Sequence, residues 1–98
     1  MWIETRGRGP DVVLLHGWAM NSTVWNGIVD ELAQDCCVHL VDLPGHGASP
    51  AAGALSLQLM VDALDAAFPL PVHVIGWSLG GAVAASWALA QPTKVKSL

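Results

Sequence analysis

The sequence predicts an α/β protein with a mostly parallel sheet covered by helices on both faces, on three observations. Short apolar runs of strand length alternate with segments of helical periodicity, and such alternation calls for right-handed crossovers and a buried parallel sheet. With 53% hydrophobic and 12% charged residues and a mean hydropathy of +0.49, the chain is more apolar than a small domain needs, because small domains have proportionally more surface to cover with polar groups. Finally, Gly76-Trp77-Ser78-Leu79-Gly80 stands between an apolar run and a helix of small residues, the setting of a strand-to-helix turn that presents a serine hydroxyl.

Each element follows from local composition. Trp2 to Thr5 reads as a short strand and Gly7-Arg8-Gly9-Pro10-Asp11 as the turn after it, since Gly permits positive φ and Pro fixes a bend. Val12-Val13-Leu14-Leu15 is continuously apolar, as a central parallel strand buried on both faces should be. Asn21 or Ser22 caps a helix predicted to run to about Gln34, with Trp25, Ile28, Val29, Leu32 and Ala33 on its inner stripe. Cys37 to Val41 is the next strand, followed by the turn-rich loop Asp42-Leu43-Pro44-Gly45-His46-Gly47-Ala48-Ser49-Pro50.

Ser56 caps a further helix that turns Leu57, Met60, Val61, Leu64 and Phe68 inward and Gln58, Asp62 and Asp65 outward. Pro69-Leu70-Pro71 stops it, and Val72-His73-Val74-Ile75 forms a third apolar strand ending at Gly76. The last helix is predicted from about Leu79 to Gln91, its Gly and Ala residues allowing close approach to a sheet and Pro92 marking its end. Lys94 to Leu98 begins another strand. Residues 1–98 therefore read as the N-terminal portion of a single domain, stopping before its later strands. The edge beside Val72 to Ile75 is expected to lack its usual neighbour and to drive self-association.

Composition excludes several classes of function. A net charge of -4 with only four Lys and Arg residues cannot neutralise a phosphate backbone, so no nucleic-acid partner is expected. No apolar run reaches the roughly 20 residues of a membrane span. The start, Met1-Trp2-Ile3-Glu4-Thr5-Arg6, lacks the basic flank and apolar run of a signal peptide. A soluble cytoplasmic protein without a membrane partner is the expectation. Cys36 and Cys37 are adjacent, and strand neighbours point to opposite faces, so a bridge between them would need a distorted peptide. Two buried reduced thiols are expected, with a redox pair as the rival reading.

The chemistry concentrates at Ser78. In a Gly-x-Ser-x-Gly turn the glycines provide clearance, and the serine is held in a strained backbone conformation. The helix that begins at Leu79 points its free N–H groups and partial positive charge at the site. The N–H of Leu79 is one expected oxyanion donor, and the N–H of Trp18, in the loop His16-Gly17-Trp18-Ala19 after the first long strand, is the second.

His16-Gly17-Trp18, Val41-Asp42-Leu43-Pro44-Gly45-His46-Gly47-Ala48-Ser49 and Gly76-Trp77-Ser78-Leu79-Gly80-Gly81, in this order and at this spacing, resemble the α/β-hydrolase family along the whole chain. Within the family, the Trp before the nucleophile, the Trp after His-Gly and the stretch from His39 through Gly47 resemble the esterases of biotin synthesis that hydrolyse a pimeloyl methyl ester carried on acyl-carrier protein. The resemblance implies the N-terminal part of an α/β-hydrolase fold and a serine carboxylesterase with Ser78 as nucleophile. It places Trp18 and Leu79 at the substrate and oxyanion site, and it implies no metal or cofactor. It also implies that the acid and histidine of the triad come from loops after later strands, positions for which this sequence has no residues. On that reading the 98-residue chain by itself is inactive or weakly active.

The four histidines already present are assigned structural roles. His39 and His73 lie inside strands, His46 in the Pro-Gly-His-Gly loop, and His16 braces the oxyanion loop by hydrogen bonding. Trp25 and Trp87 fall on core-facing helix positions, whereas Trp18 and Trp77 flank the catalytic turn. Asp42 is expected to cap the turn that follows it. A serine at position 78 disfavours relatives that use a carboxylate nucleophile. The elbow does not specify the leaving group, so a thioesterase, lyase or peptidase stays open, as does a non-catalytic chain.

Overall fold

The computed structural model describes residues 1–47, 49 and 56–98. Five strands, β1 (Trp2–Arg6), β2 (Asp11–Leu15), β3 (Cys37–Asp42), β4 (Val72–Gly76) and β5 (Val95–Ser97), form one sheet in the order β1-β3-β2-β4-β5. β2, β3, β4 and β5 run parallel, and β1 pairs antiparallel with β3. The mostly parallel sheet is as predicted, and the continuous apolar run of β2 occupies its centre: Val12 to Leu15 are all buried, three of the four completely.

Alternation along the strands assigns the two faces. Val13, Leu15, Val41 and Val74 pack with Val61 and Leu64 of helix α2 (Leu57–Ala67) and with Val83 and Trp87 of helix α3 (Leu79–Ala90). Val12, Leu14, Val38 and Leu40 pack on the other side against Trp25 and Val29. Helices thus cover both faces. The chain moves from β2 to β3 on one side, then crosses to β4 on the other side of β2. The loops after β2 and β4 diverge from neighbouring strand ends, which is the crevice where open α/β sheets bind their ligands.

The predicted helix from Asn21 to Gln34 is instead a 3₁₀ turn at Ser22–Trp25 followed by a single helical turn, α1 (Val29–Leu32). Asn21 is the cap, its side chain accepting from the Thr23 N–H at 2.9 Å. β-Branched Thr23, Val24, Ile28 and Val29 weaken helix propagation, and Gly27 adds the largest backbone entropy cost short of Pro. The bonds around it close over three residues, Asn26 N to Thr23 O and Ile28 N to Trp25 O. The shift in phase turns Ile28 outward, 43% exposed, where the helical pattern put it inside.

α2 begins as expected, with Ser56 Oγ accepting from Leu59 N–H at 3.1 Å, but Leu57 in its first turn is exposed rather than inward. Asp65, expected outward, takes hydrogen bonds from Trp87 Nε1 and Lys94 Nζ, at 3.1 and 3.0 Å. β5 covers the lower half of the β4 edge expected to be bare, since Val72 pairs with Val95 and His73 with Ser97. The cysteines are free but half-buried rather than buried. Of the loop after β3, Ala48 and Pro50 lie outside the described residues.

Candidate active site

Ser78 lies between the end of β4 and the first residue of α3, with φ 54° and ψ -112°. For a non-glycine residue this left-handed φ costs on the order of 1–3 kcal/mol and persists only where the surroundings fix it. They do so through close backbone packing. A Cβ on Gly76 would lie 2.4 Å from Gly80 O, and one on Gly80 would lie 2.1 Å from Leu15 O and 2.7 Å from His16 O. α3 therefore starts directly on the carbonyl end of β2. Trp77 N–H donates to Leu15 O at 3.0 Å, and Gly80 N–H to Trp77 O at 2.9 Å. The Ser78 side chain is exposed and makes no cap bond to the helix it precedes.

The loop after β2 is built on His16. Its completely buried ring hydrogen-bonds through Nδ1 to Gly17 O at 2.8 Å and accepts the Leu43 N–H at Nε2, at 3.0 Å. One nitrogen donates and the other accepts, so the ring is neutral and its tautomer is set. Burial pushes its pKa below the ordinary 6.5. Gly17 O also receives Met20 N–H at 3.2 Å, and the turn needs a positive φ, 59°, at Ala19. The brace that the sequence suggests for His16 is present, and it reaches across to the loop after β3. The Asp42 carboxylate accepts from Ser22 N–H at 2.8 Å and so holds the segment that follows the loop after β2.

Trp18 and Leu79 line one small cavity of about 130 Å³ together with Ser56, Leu57 and Met60. Among the described residues, neither the Trp18 N–H nor the Leu79 N–H has a hydrogen-bond partner. Trp77 goes elsewhere. With Met20, Val24, Trp25, Gly27 and Ile28 it lines a separate apolar cavity of about 360 Å³. In the sequence, Ser56, Leu57 and Met60 carry only the signals of cap and core residues, because one-dimensional periodicity does not show where a helix end meets a neighbouring loop. The positive φ at Ala19 also has no sequence signal, since no glycine or asparagine marks it.

None of the four histidines reaches Ser78. His16 is engaged as described. His39 Nε2 lies 2.8 Å from Asp11 Oδ1, His46 Nδ1 3.1 Å from Pro44 O and His73 Nδ1 2.6 Å from Ser97 Oγ. His46 packs its ring 5.2 Å from that of Trp18, edge to face, a support for the loop after β2.

A serine of positive φ thus stands between a parallel strand and a helix, and the sequence profile of the α/β hydrolase fold matches residues 10–98. The chain belongs to the α/β-hydrolase family. It is 54% identical over 98 residues to the pimeloyl-[acyl-carrier protein] methyl ester esterase of Chromobacterium violaceum, covering 100% of this chain and 39% of the relative. It is 52% identical to the esterase of the same name from Aeromonas hydrophila, covering 98% of this chain and 39% of that protein. Among solved structures, an esterase from a marine microorganism superposes with a TM-score of 0.93 at 32% identity, over 97% of this chain and 38% of the other. A thermophilic esterase from Thermogutta terrifontis gives 0.88 at 28% identity, over 96% and 37%. The chain thus spans about two fifths of the length of the curated relatives it matches.

Proposed function

We propose that this chain supplies the nucleophile and the oxyanion hole of a serine carboxylesterase whose substrate is the methyl ester of a pimeloyl chain held on acyl-carrier protein. The observation that carries this reading is Ser78 at φ 54° on the N-terminus of α3, beside the cavity shared by Trp18 and Leu79. The relatives named for that reaction supply the substrate class.

Ser78 Oγ attacks the ester carbonyl while its proton passes to a base. The developing oxyanion is held by the N–H groups of Trp18 and Leu79, each worth about 3 kcal/mol in comparable acyl-transfer sites. The tetrahedral adduct collapses with loss of methanol, leaving an acyl-Ser78 ester that water hydrolyses to the free acid. The base and its orienting acid come from outside these 98 residues, because each histidine present is committed elsewhere. No metal or cofactor takes part in this scheme. The protein works in the cytoplasm, where acyl-carrier protein is available to it, and it self-associates through the sheet edge.

Methanol release from the pimeloyl methyl ester on acyl-carrier protein tests the reading, compared with thioester and aminopeptidase substrates. The 98-residue chain should show at most residual hydrolysis, selective for the methyl ester and abolished by Ser78→Ala. Hydrolysis that survives that substitution, or prefers a thioester, overturns the proposal. Full-rate turnover by the chain alone overturns the external base.

A further inference from the structure

At the end of the sheet opposite Ser78, three potential ligands of different chemistry converge. Asp11 opens β2 and pairs directly with Cys37, the first residue of β3, and His39 follows two positions later. The period of two puts Cys37 and His39 on one face, the α2 side. The grouping is tight: His39 Nε2 lies 2.8 Å from Asp11 Oδ1 and 3.7 Å from Cys37 Sγ, and the three donor atoms all fall within 4.8 Å of one another. Cys36 packs instead against the cluster of Val12, Leu14, Trp25, Val29, Val38 and Leu40 on the α1 face.

We propose that Asp11, Cys37 and His39 form a binding site for one divalent cation of borderline softness, with Zn²⁺ the ion that its donors suit best. A thiolate, an imidazole and a carboxylate are the usual protein ligands of zinc, and a sulfur donor disfavours Mg²⁺ and Ca²⁺. Bond lengths of about 2.0–2.3 Å in a tetrahedron place ligand atoms about 3.3–3.7 Å apart. The sulfur–nitrogen separation already has that value, and the carboxylate needs to retreat by about half an ångström from its present hydrogen bond. Its side chain, 46% exposed, is free to do so, and the His39 side chain is only 16% exposed.

The orienting partner of the imidazole is also in place. Thr5 Oγ1 lies 3.1 Å from His39 Nδ1, and Thr5 is the residue of β1 paired with His39. A hydroxyl can accept there as well as donate, so Nδ1–H turned toward Thr5 leaves the Nε2 lone pair for the metal, the arrangement usual for ligating histidines. Phe68 closes the site with its ring edge-to-face on His39 at 5.2 Å. A cavity of about 170 Å³ between Asp11, His39, Pro69 and Leu70 gives a path from solvent and room for a water as the fourth ligand. Coordination removes the thiol proton of Cys37, so one proton passes to solvent for each ion bound. The ion would staple the foot of β2 to β3, a full strand length from the Ser78 elbow.

Co²⁺ serves as the spectroscopic probe for Zn²⁺. The metal-free protein should bind one equivalent, with a thiolate-to-cobalt charge-transfer band and the intense visible bands of a four-coordinate ion, both displaced by Zn²⁺. Cys37→Ser and Cys37→Ala should abolish the charge-transfer band, and Asp11→Asn and His39→Gln should each weaken Zn²⁺ binding at least tenfold. Cys36→Ser and His73→Gln should leave it unchanged. Absence of a thiolate band in the unsubstituted protein overturns the proposal whatever the variants do. So does a band lost in Cys36→Ser but retained in either Cys37 variant, or equal weakening by His73→Gln.

Discussion

At Gly80 and Gly81, neighbouring glycines of one motif have opposite physical meanings. A Cβ on Gly80 meets the Leu15 carbonyl oxygen at 2.1 Å, whereas one on Gly81 comes no nearer than 3.5 Å, to Gly76 O, an ordinary contact. Gly80→Ala should therefore cost at least about 1–3 kcal/mol in overpacking and move the elbow. Gly81→Ala, inside a helix, should gain up to about 1 kcal/mol of propensity. Urea denaturation of both variants checks the contrast, and equal effects would remove the clearance argument. His16 makes a second prediction. Its folded pKa lies below the ordinary 6.5 because burial disfavours the charged ring, so below pH 6.5 the unfolded chain takes up more protons than the folded one. The stability contributed by neutral His16 is full above that pH and is lost as pH falls toward the folded pKa. Denaturation midpoints measured from pH 7 to 5 should decline more steeply for the wild type than for His16→Gln. At this scale the strand-to-helix turn at Ser78 and the bracing role of His16 are legible in the sequence, because each is tied to a short motif whose mechanics are local. Ala19 and the reach of His16 to Leu43 are not, since they depend on where a third loop lies.

Among the elements, the strands are the most legible and the segment from Asn21 to Gln34 the least. Apolar runs such as Val12 to Leu15 have one good solution, a central strand, because nothing else buries both faces. Trp25, Ile28, Val29 and Leu32 fit a helical stripe, but that stripe competes with β-branched residues and Gly27, and the backbone divides into two short turns. Sequence periodicity reports which residues seek the core; it does not report the cost of the backbone that brings them there. A Cβ added to Gly27 would meet no atom within 4 Å, and Gly27 is not among the residues of positive φ. Gly27→Ala should accordingly stabilise the protein by about 0.4–1 kcal/mol by restricting the unfolded chain, read as a rise in the thermal midpoint. A fall in that midpoint would mean that the turn needs a conformation alanine cannot adopt.

For the whole molecule, the open side of the sheet is the feature with consequences in solution. Among the described residues β5 pairs with Val72 and His73, and Ile75, in the upper half of β4, is 41% exposed. An unpaired strand margin with apolar side chains recruits other strands. Elution volume in gel filtration should shift with concentration, and Ile75→Lys should return the protein toward the monomer. A single monomeric peak at every concentration would refute this. The strand from Lys94 onward is visible in the sequence, but not that so short a strand already covers the lower half of β4.

The contacts that hold Ser78 in its strained turn also fix an order of events. Leu15 and His16, against which Gly80 closes, precede the serine by some sixty positions in the chain, and β3, which flanks β2, precedes it as well. As synthesis delivers about 5–20 residues per second, everything the elbow leans on has left the ribosome before the elbow itself. Ser78 can be set as soon as α3 emerges, with its partners waiting for it.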